Sequence, residues 1–122
     1  MPVARTPDPD PRSFLPLTPL VLQVLLALAD GDRHGYHIIR EVDARTGGLI
    51  RLRTGTLYTL LQRLLEQHLI AEADTRPAPD RDDERRRYYA LTTLGRAVLK
   101  AETGRLRAVV DLARAKRVLG GA

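Results

Sequence analysis

Cysteine and tryptophan are absent from this 122-residue chain, and phenylalanine and methionine occur once each. Without thiols there is neither a disulfide nor a thiolate metal site. Of the three histidines, His34 and His37 would stand three apart at a helix start, with Glu41 four beyond His37. Such a trio can in principle grip one ion. Helix capping and packing account for the same residues and for His68, so no metal and no cofactor are expected. No apolar run approaches the roughly 20 residues of a membrane span. The longest, residues 20–29, is broken by Gln23. The first residues, with Arg5, Asp8, Asp10 and early prolines, lack the apolar core of a signal peptide. A cytoplasmic location is therefore expected. No nucleophile–base pair or cluster of carboxylates stands out, which argues against an enzyme.

What is present is positive charge. Twenty basic residues against fifteen acidic ones give a net charge of +5 and a pI of about 10.2. Such a balance favours polyanionic partners. Eighteen of the twenty are arginine, in a chain also rich in alanine, leucine, glycine and proline. A GC-rich genome produces that mix by codon bias alone, so only the placement of the arginines carries information. The length suits one domain that buries roughly two-thirds of its unfolded surface.

Residues 1–16 are proline-rich and read as a disordered or extended arm, with Phe14, Leu15 and Leu17 available to dock on the domain or on a second subunit. Thr18-Pro19 reads as an N-cap followed by proline in the first turn. The helix that follows, 20–29, is apolar almost all round and so buried on most faces. A second helix over 34–45 carries Tyr36, Ile39, Val42 and also Ile38 on a narrower apolar stripe, and Gly47-Gly48 stops it. After a connector at 49–53, Leu57, Leu60, Leu61, Leu64 and Leu65 recur at the i, i+3, i+4, i+7 spacing of a helix that faces a core. Its other face holds Thr56, Thr59, Gln62, Arg63, Glu66 and Gln67, and Arg51 and Arg53 lie just upstream. Small hydrogen-bonding groups and positive charge at a helix start suit a phosphate backbone and base edges.

Beyond Leu69 the period changes to that of strands. Residues 69–75 and 85–91 alternate around a charged, proline-bearing tip at 76–84, which is a β-hairpin. Three helices and a hairpin in this order make a winged helix-turn-helix layout. The expected fold is mainly α with a small β-hairpin: residues 17–91 form the winged helix-turn-helix domain and 92–122 a long terminal helix, capped by Thr92. The apolar positions of that helix, Leu94, Val98, Leu99, Leu106, Val109, Val110 and Ala113, have no obvious partner in so small a domain. With Leu20 they form the expected dimerisation surface. Gly104 interrupts the helix at about 1 kcal/mol relative to alanine.

Several motifs then line up in register over residues 18–100. His34-Gly35-Tyr36-x-Ile38-Ile39, Gly55-Thr56-Leu57-Tyr58, Leu64-x5-Ile70, Arg86-Arg87-Tyr88-Tyr89-x-Leu91-Thr92 and Gly95 resemble PadR-like transcriptional regulators. The resemblance implies a winged-helix regulator that is homodimeric through its terminal helices. It would bind a pseudopalindromic operator in double-stranded DNA, usually as a repressor, and is often released by a small aromatic or drug-like effector. Because the sequence stops at 122, it looks like the type with a single short terminal helix. The family often has Ser-Pro before Gly-Thr-Leu-Tyr, where the serine caps the helix. Here Arg53-Thr54 stands there, so either Thr54 caps one residue later or Arg53 leaves the turn less well capped and reaches a phosphate.

The expected DNA-binding residues are Arg53, Thr54, Gly55, Thr56, Tyr58, Thr59, Gln62 and Arg63 on the helix, with Arg85, Arg86 and Arg87 on the hairpin. Gly55, Thr56 and Tyr58 match the family's motif residue by residue. Backbone N–H groups and a tyrosine hydroxyl mostly fix register on phosphates. Base reading would fall to Thr59, Gln62 or Arg63. Over 80–87 four basic residues face four acidic ones, so neutralisation within the tip competes with DNA contact for the three arginines. The alternative is a winged-helix module for protein–protein assembly with no DNA target.

Overall fold

The computed structural model describes residues 9–73 and 87–120. Among them the elements run α1 (Pro19–Ala27), β1 (Arg33–His34), α2 (Gly35–Arg45), α3 (Thr54–Glu66), β2 (Ile70–Ala73), β3 (Tyr88–Leu91) and α4 (Thr93–Ala115). The strands form one antiparallel sheet in the order β1-β3-β2, with Ile70 opposite Leu91 and His34 opposite Tyr88. The outermost strand was not expected from the sequence. Two residues are too short to show a period, and β1 exists only because β3 supplies its hydrogen-bonding partner.

Helix starts follow from local chemistry. The Thr18 hydroxyl accepts the Val21 N–H at 3.2 Å, with Pro19 at the first helical position. His34 does the same for α2, its Nδ1 accepting the His37 N–H at 3.1 Å. The Thr92 hydroxyl accepts from the Gly95 N–H at 2.9 Å and donates to the His68 carbonyl at 2.6 Å. α2 ends where Gly47 and Gly48 take positive φ, +61° and +80°.

The core gathers Val24, Leu25 and Leu28 of the first helical segment, Ile38 and Val42 of α2, Leu57, Leu61 and Leu64 of α3, and Val98 and Leu99 of α4. Burying each such side chain is worth roughly 1.5–3 kcal/mol. Three sequence expectations need correction here. Tyr36 is 59% exposed, because α2 turns Gly35, Ile38 and Val42 inward. Tyr36 instead lies beneath the Arg40 guanidinium, 5.7 Å from ring centre to Cζ. Val98 and Leu99 are buried in the protomer's own core, so these two are not free to meet a second copy, while Leu94 is half-buried against that core. Within the expected loose arm Pro11–Phe14 forms a 3-10 turn on α4, while Phe14, Leu15 and Leu17 pack against the protomer's own core, one of the two placements expected for them. Residues 1–8 of that arm lie outside the described residues.

Glycine matters at one close approach. α4 begins so near the turn after α3 that a Cβ on Gly95 would overlap the Leu69 carbonyl. The Leu69 oxygen accepts the Thr92 N–H at 3.1 Å, which fixes the approach. α4 then extends for 23 residues, about 34 Å at 1.5 Å per residue. No helix among the described residues is long and apolar enough to cross a membrane.

Candidate nucleic-acid interface

α3 sorts its residues cleanly. Leu57, Leu61 and Leu64 are buried, while Thr54, Gly55, Thr56, Thr59, Gln62 and Arg63 are all exposed. Gly55, Thr56, Thr59, Leu60 and Arg63 together line a shallow open hollow on the outer face. Glycine and threonines keep that surface low, so a large ligand can come close to the backbone.

The choice left open at the helix start falls on Arg53. Arg53 occupies the capping position in an extended conformation and its side chain makes no capping hydrogen bond; Thr54 is already inside the helix. The Arg53 carbonyl accepts from the Leu57 N–H at 2.8 Å, so the first turn is closed on its carbonyl side only. The first turn contains no acidic residue. Among the described residues no ion pair involves Arg51, Arg53 or Arg63, and all three are exposed. N–H groups without a side-chain cap, the positive end of the helix dipole and two exposed arginines next to it in the chain make the start of α3 a favourable place for an anion.

Tyr58 differs from its neighbours. It is half-buried, and its ring and hydroxyl lie against Gly35 at the start of α2, so closely that a Cβ there would come within 2.8 Å of the hydroxyl oxygen. The His-Gly-Tyr and Gly-Thr-Leu-Tyr motifs are thus one packing unit, the glycine of the first making room for the tyrosine of the second. Sequence alone gave Gly35 no role; its place three residues before the buried Ile38 was the available signal.

Of the hairpin arginines, Arg87 is described. It is exposed and sits 3.5 Å from Glu72 across the sheet. Arg85 and Arg86, with the charged tip, lie outside the described residues. Tyr89 is buried in the core and Tyr88 packs edge-on against the His34 ring at 5.5 Å, so both serve the sheet. His37 pairs with Glu41 at 3.4 Å, and among the described residues no three metal-ligating side chains converge.

Helices α1 to α3 around a shared core, a three-stranded sheet rooted beside α3, and an exposed polar face on α3 define a winged helix-turn-helix protein. The model of the transcriptional regulator PadR-like family matches residues 24–101, and the chain belongs to that family. Its members are transcriptional regulators, not enzymes. Uncharacterized protein X of Lysinibacillus sphaericus is 30% identical over 92 residues, spanning 73% of this chain and 82% of that protein. A PadR family transcription regulator from hypervirulent Clostridium difficile R20291 has the same fold, with a TM-score of 0.62 at 24% identity over 79% of this chain and 95% of that one. Bacillus subtilis PadR, solved in complex with operator DNA, matches with a TM-score of 0.59 at 22% identity over 70% of this chain and 46% of that one.

Proposed function

We propose that the protein is a homodimeric repressor that reads a pseudopalindromic operator with α3. The observation that carries this reading is the start of α3, exposed, without a side-chain cap, free of acid and flanked by Arg51 and Arg53, which have no ion pair among the described residues. Arg53, Thr54, Gly55 and Thr56 hold the phosphate backbone, with Tyr58 at the border of the face. Thr59, Gln62 and Arg63 project next along the helix and read base edges in the major groove. Arg87 adds a phosphate contact from the wing, and Arg85 and Arg86 are proposed beside it from sequence alone. The operator complex of Bacillus subtilis PadR supports DNA as the partner.

The second half of α4 supplies the dimer contact. Leu106, Val109, Val110 and Ala113 fall at i, i+3, i+4 and i+7, with Val109 52% and Val110 42% exposed. An isolated protomer gains nothing from that stripe; a second copy would cover it, together with the half-buried Leu20. The small aromatic or drug-like effector implied by the family belongs at the same interface, between α1 of one protomer and α4 of its partner. Two recognition helices then enter successive major grooves roughly 34 Å apart.

An electrophoretic mobility shift on DNA upstream of the protein's own gene tests this. The wild-type chain should retard the fragment at low salt. Arg63→Ala should weaken binding, with a log–log salt slope shallower by about 0.9 if the lost contact is to phosphate. Full affinity in both Arg53→Ala and Arg63→Ala would remove α3 from the interface. No shift, together with capture of a protein partner, would favour the protein–protein module instead.

A further inference from the structure

The buried positions of α4 all lie in its first half, and the boundary has a distinctive construction. Gly95, Val98, Leu99 and Glu102 are the buried positions of the helix; beyond Glu102 none is buried. Glu102 is 1% exposed, yet it is an acid on an otherwise apolar stripe. Its Oε2 accepts the N–H of Leu17, the residue before the α1 cap, at 2.9 Å. Glu102 therefore bolts α4 to the segment just before α1, at the last buried position of the helix.

The next residues weaken the helix. The Thr103 hydroxyl donates back to the Leu99 and Lys100 carbonyls at 3.0 and 3.1 Å, a pattern that bends helices. Gly104 follows, the poorest helix former after proline, with no atom within 4 Å of a Cβ built there. Arg105 then reaches back across both. Its Nε donates to Glu102 Oε1 at 2.6 Å and its Nη2 to Oε2 at 3.1 Å. A two-bond guanidinium–carboxylate fork has fixed geometry. Here it splints the helix over its weakest residue. The fork and the Leu17 N–H also hold the Glu102 carboxyl below the ordinary carboxylate range, so the splint stays charged near neutrality.

We propose that residues 102–105 are a splinted hinge that sets the angle between the DNA-binding domain and the second half of α4, and thereby the spacing between half-sites that the dimer accepts. The claim about spacing rests on the operator reading above; the hinge itself does not. From Gly104 to Ala115 the lever is about 16 Å at 1.5 Å per residue. A kink of about 20° moves its end by roughly 6 Å, close to two base pairs at 3.4 Å each. Glu102 and Arg105 are thus positioning residues for a specificity exercised at α3.

The chain lacks cysteine, so two introduced thiols can be labelled uniquely. Spin labels at Ala44→Cys and Ala115→Cys, both exposed, report the angle by electron–electron distance. Labelled chain is diluted into excess unlabelled protein so that only distances within one protomer are read. Wild type should give one narrow distance. Arg105→Ala should broaden or shift it by several ångströms at unchanged helix content, and adding Gly104→Ala should narrow it again. An unchanged distribution in Arg105→Ala overturns the hinge, and so does a broadening that Gly104→Ala fails to rescue. Selection from operators with varied half-site spacing then reads specificity: wild type should retain one spacing and Arg105→Ala several. If wild type retains no DNA at all, the operator reading fails while the distances still decide the hinge.

Discussion

The starts of α3 and α4 contain the same kinds of residue and use them in opposite ways. Each has a threonine at the boundary and a glycine within the first turn. At α4 the Thr92 hydroxyl makes two hydrogen bonds, and Gly95 lies against the Leu69 carbonyl so tightly that no side chain fits. At α3 the capping position belongs to an arginine that caps nothing, and Gly55 has no atom within 4 Å of a Cβ built there. One start is spent on holding the protein together, and the other is left open to something outside it. A cap typically contributes about 1 kcal/mol. Its omission at α3 is a stability forgone at the place where the proposed contact with phosphate lies.

The largest test of that contrast exchanges the glycines. Gly95→Ala should destabilise by about 3 kcal/mol or more, since the methyl meets rigid backbone rather than a side chain that can move. Gly55→Ala should fold at least as stably and instead weaken DNA retention by holding the backbone away from phosphate. Urea unfolding paired with mobility shifts reads both, and equal stability losses would erase the distinction. A smaller test exchanges the caps. Thr92→Ala should cost about 1 kcal/mol or somewhat more. Arg53→Asp should add about as much stability by capping α3, while lowering DNA affinity. A destabilised Arg53→Asp would show that the cap site is not open in the way described.

The smallest effect concerns acid. The folded-state pKa of Glu102 lies below its ordinary 4.5, chiefly through the hydrogen bonds from Arg105. Its contribution is therefore complete above that ordinary value and fades as pH falls through the lowered one. Glu102→Gln should flatten the acid limb of the stability curve between those two points and leave its shape near neutrality alone. A mutant curve that declines in parallel with wild type would assign acid sensitivity to other carboxylates.

Much of the fold was legible because the signals are local. Thr18 and Thr92 announce helix starts, Gly47-Gly48 a stop, and the leucines of α3 a buried face. What escaped depended on partners distant in sequence. β1 is defined by Tyr88 and Tyr89, more than fifty residues on, and the ordering of the arm by Glu102, 85 residues from Leu17. The apolar stripe of α4 showed that something covers it but not what. Val98 and Leu99 in its first half turned out to be buried by the protomer itself, while Val109 and Val110 in its second half stand exposed. Glu102 was visible as an acid on an apolar stripe with an arginine three residues later, a signal that goes unread when the stripe is treated as one surface. For the candidate interface the helical period separated outward from inward residues on α3, and Tyr58 alone proved to be half-turned toward the domain.

The contact between Tyr58 and Gly35 separates what this protein could be made to recognise from what it must keep. Thr56, Thr59, Gln62 and Arg63 are all exposed on α3, so a library varied at these four positions should retain its fold in most members. Varying Tyr58 would loosen α2, and enlarging Gly35 would displace α3. A designer who wanted a new target sequence would therefore randomise four positions of the first group and freeze the pair, and would obtain altered preference at little structural risk.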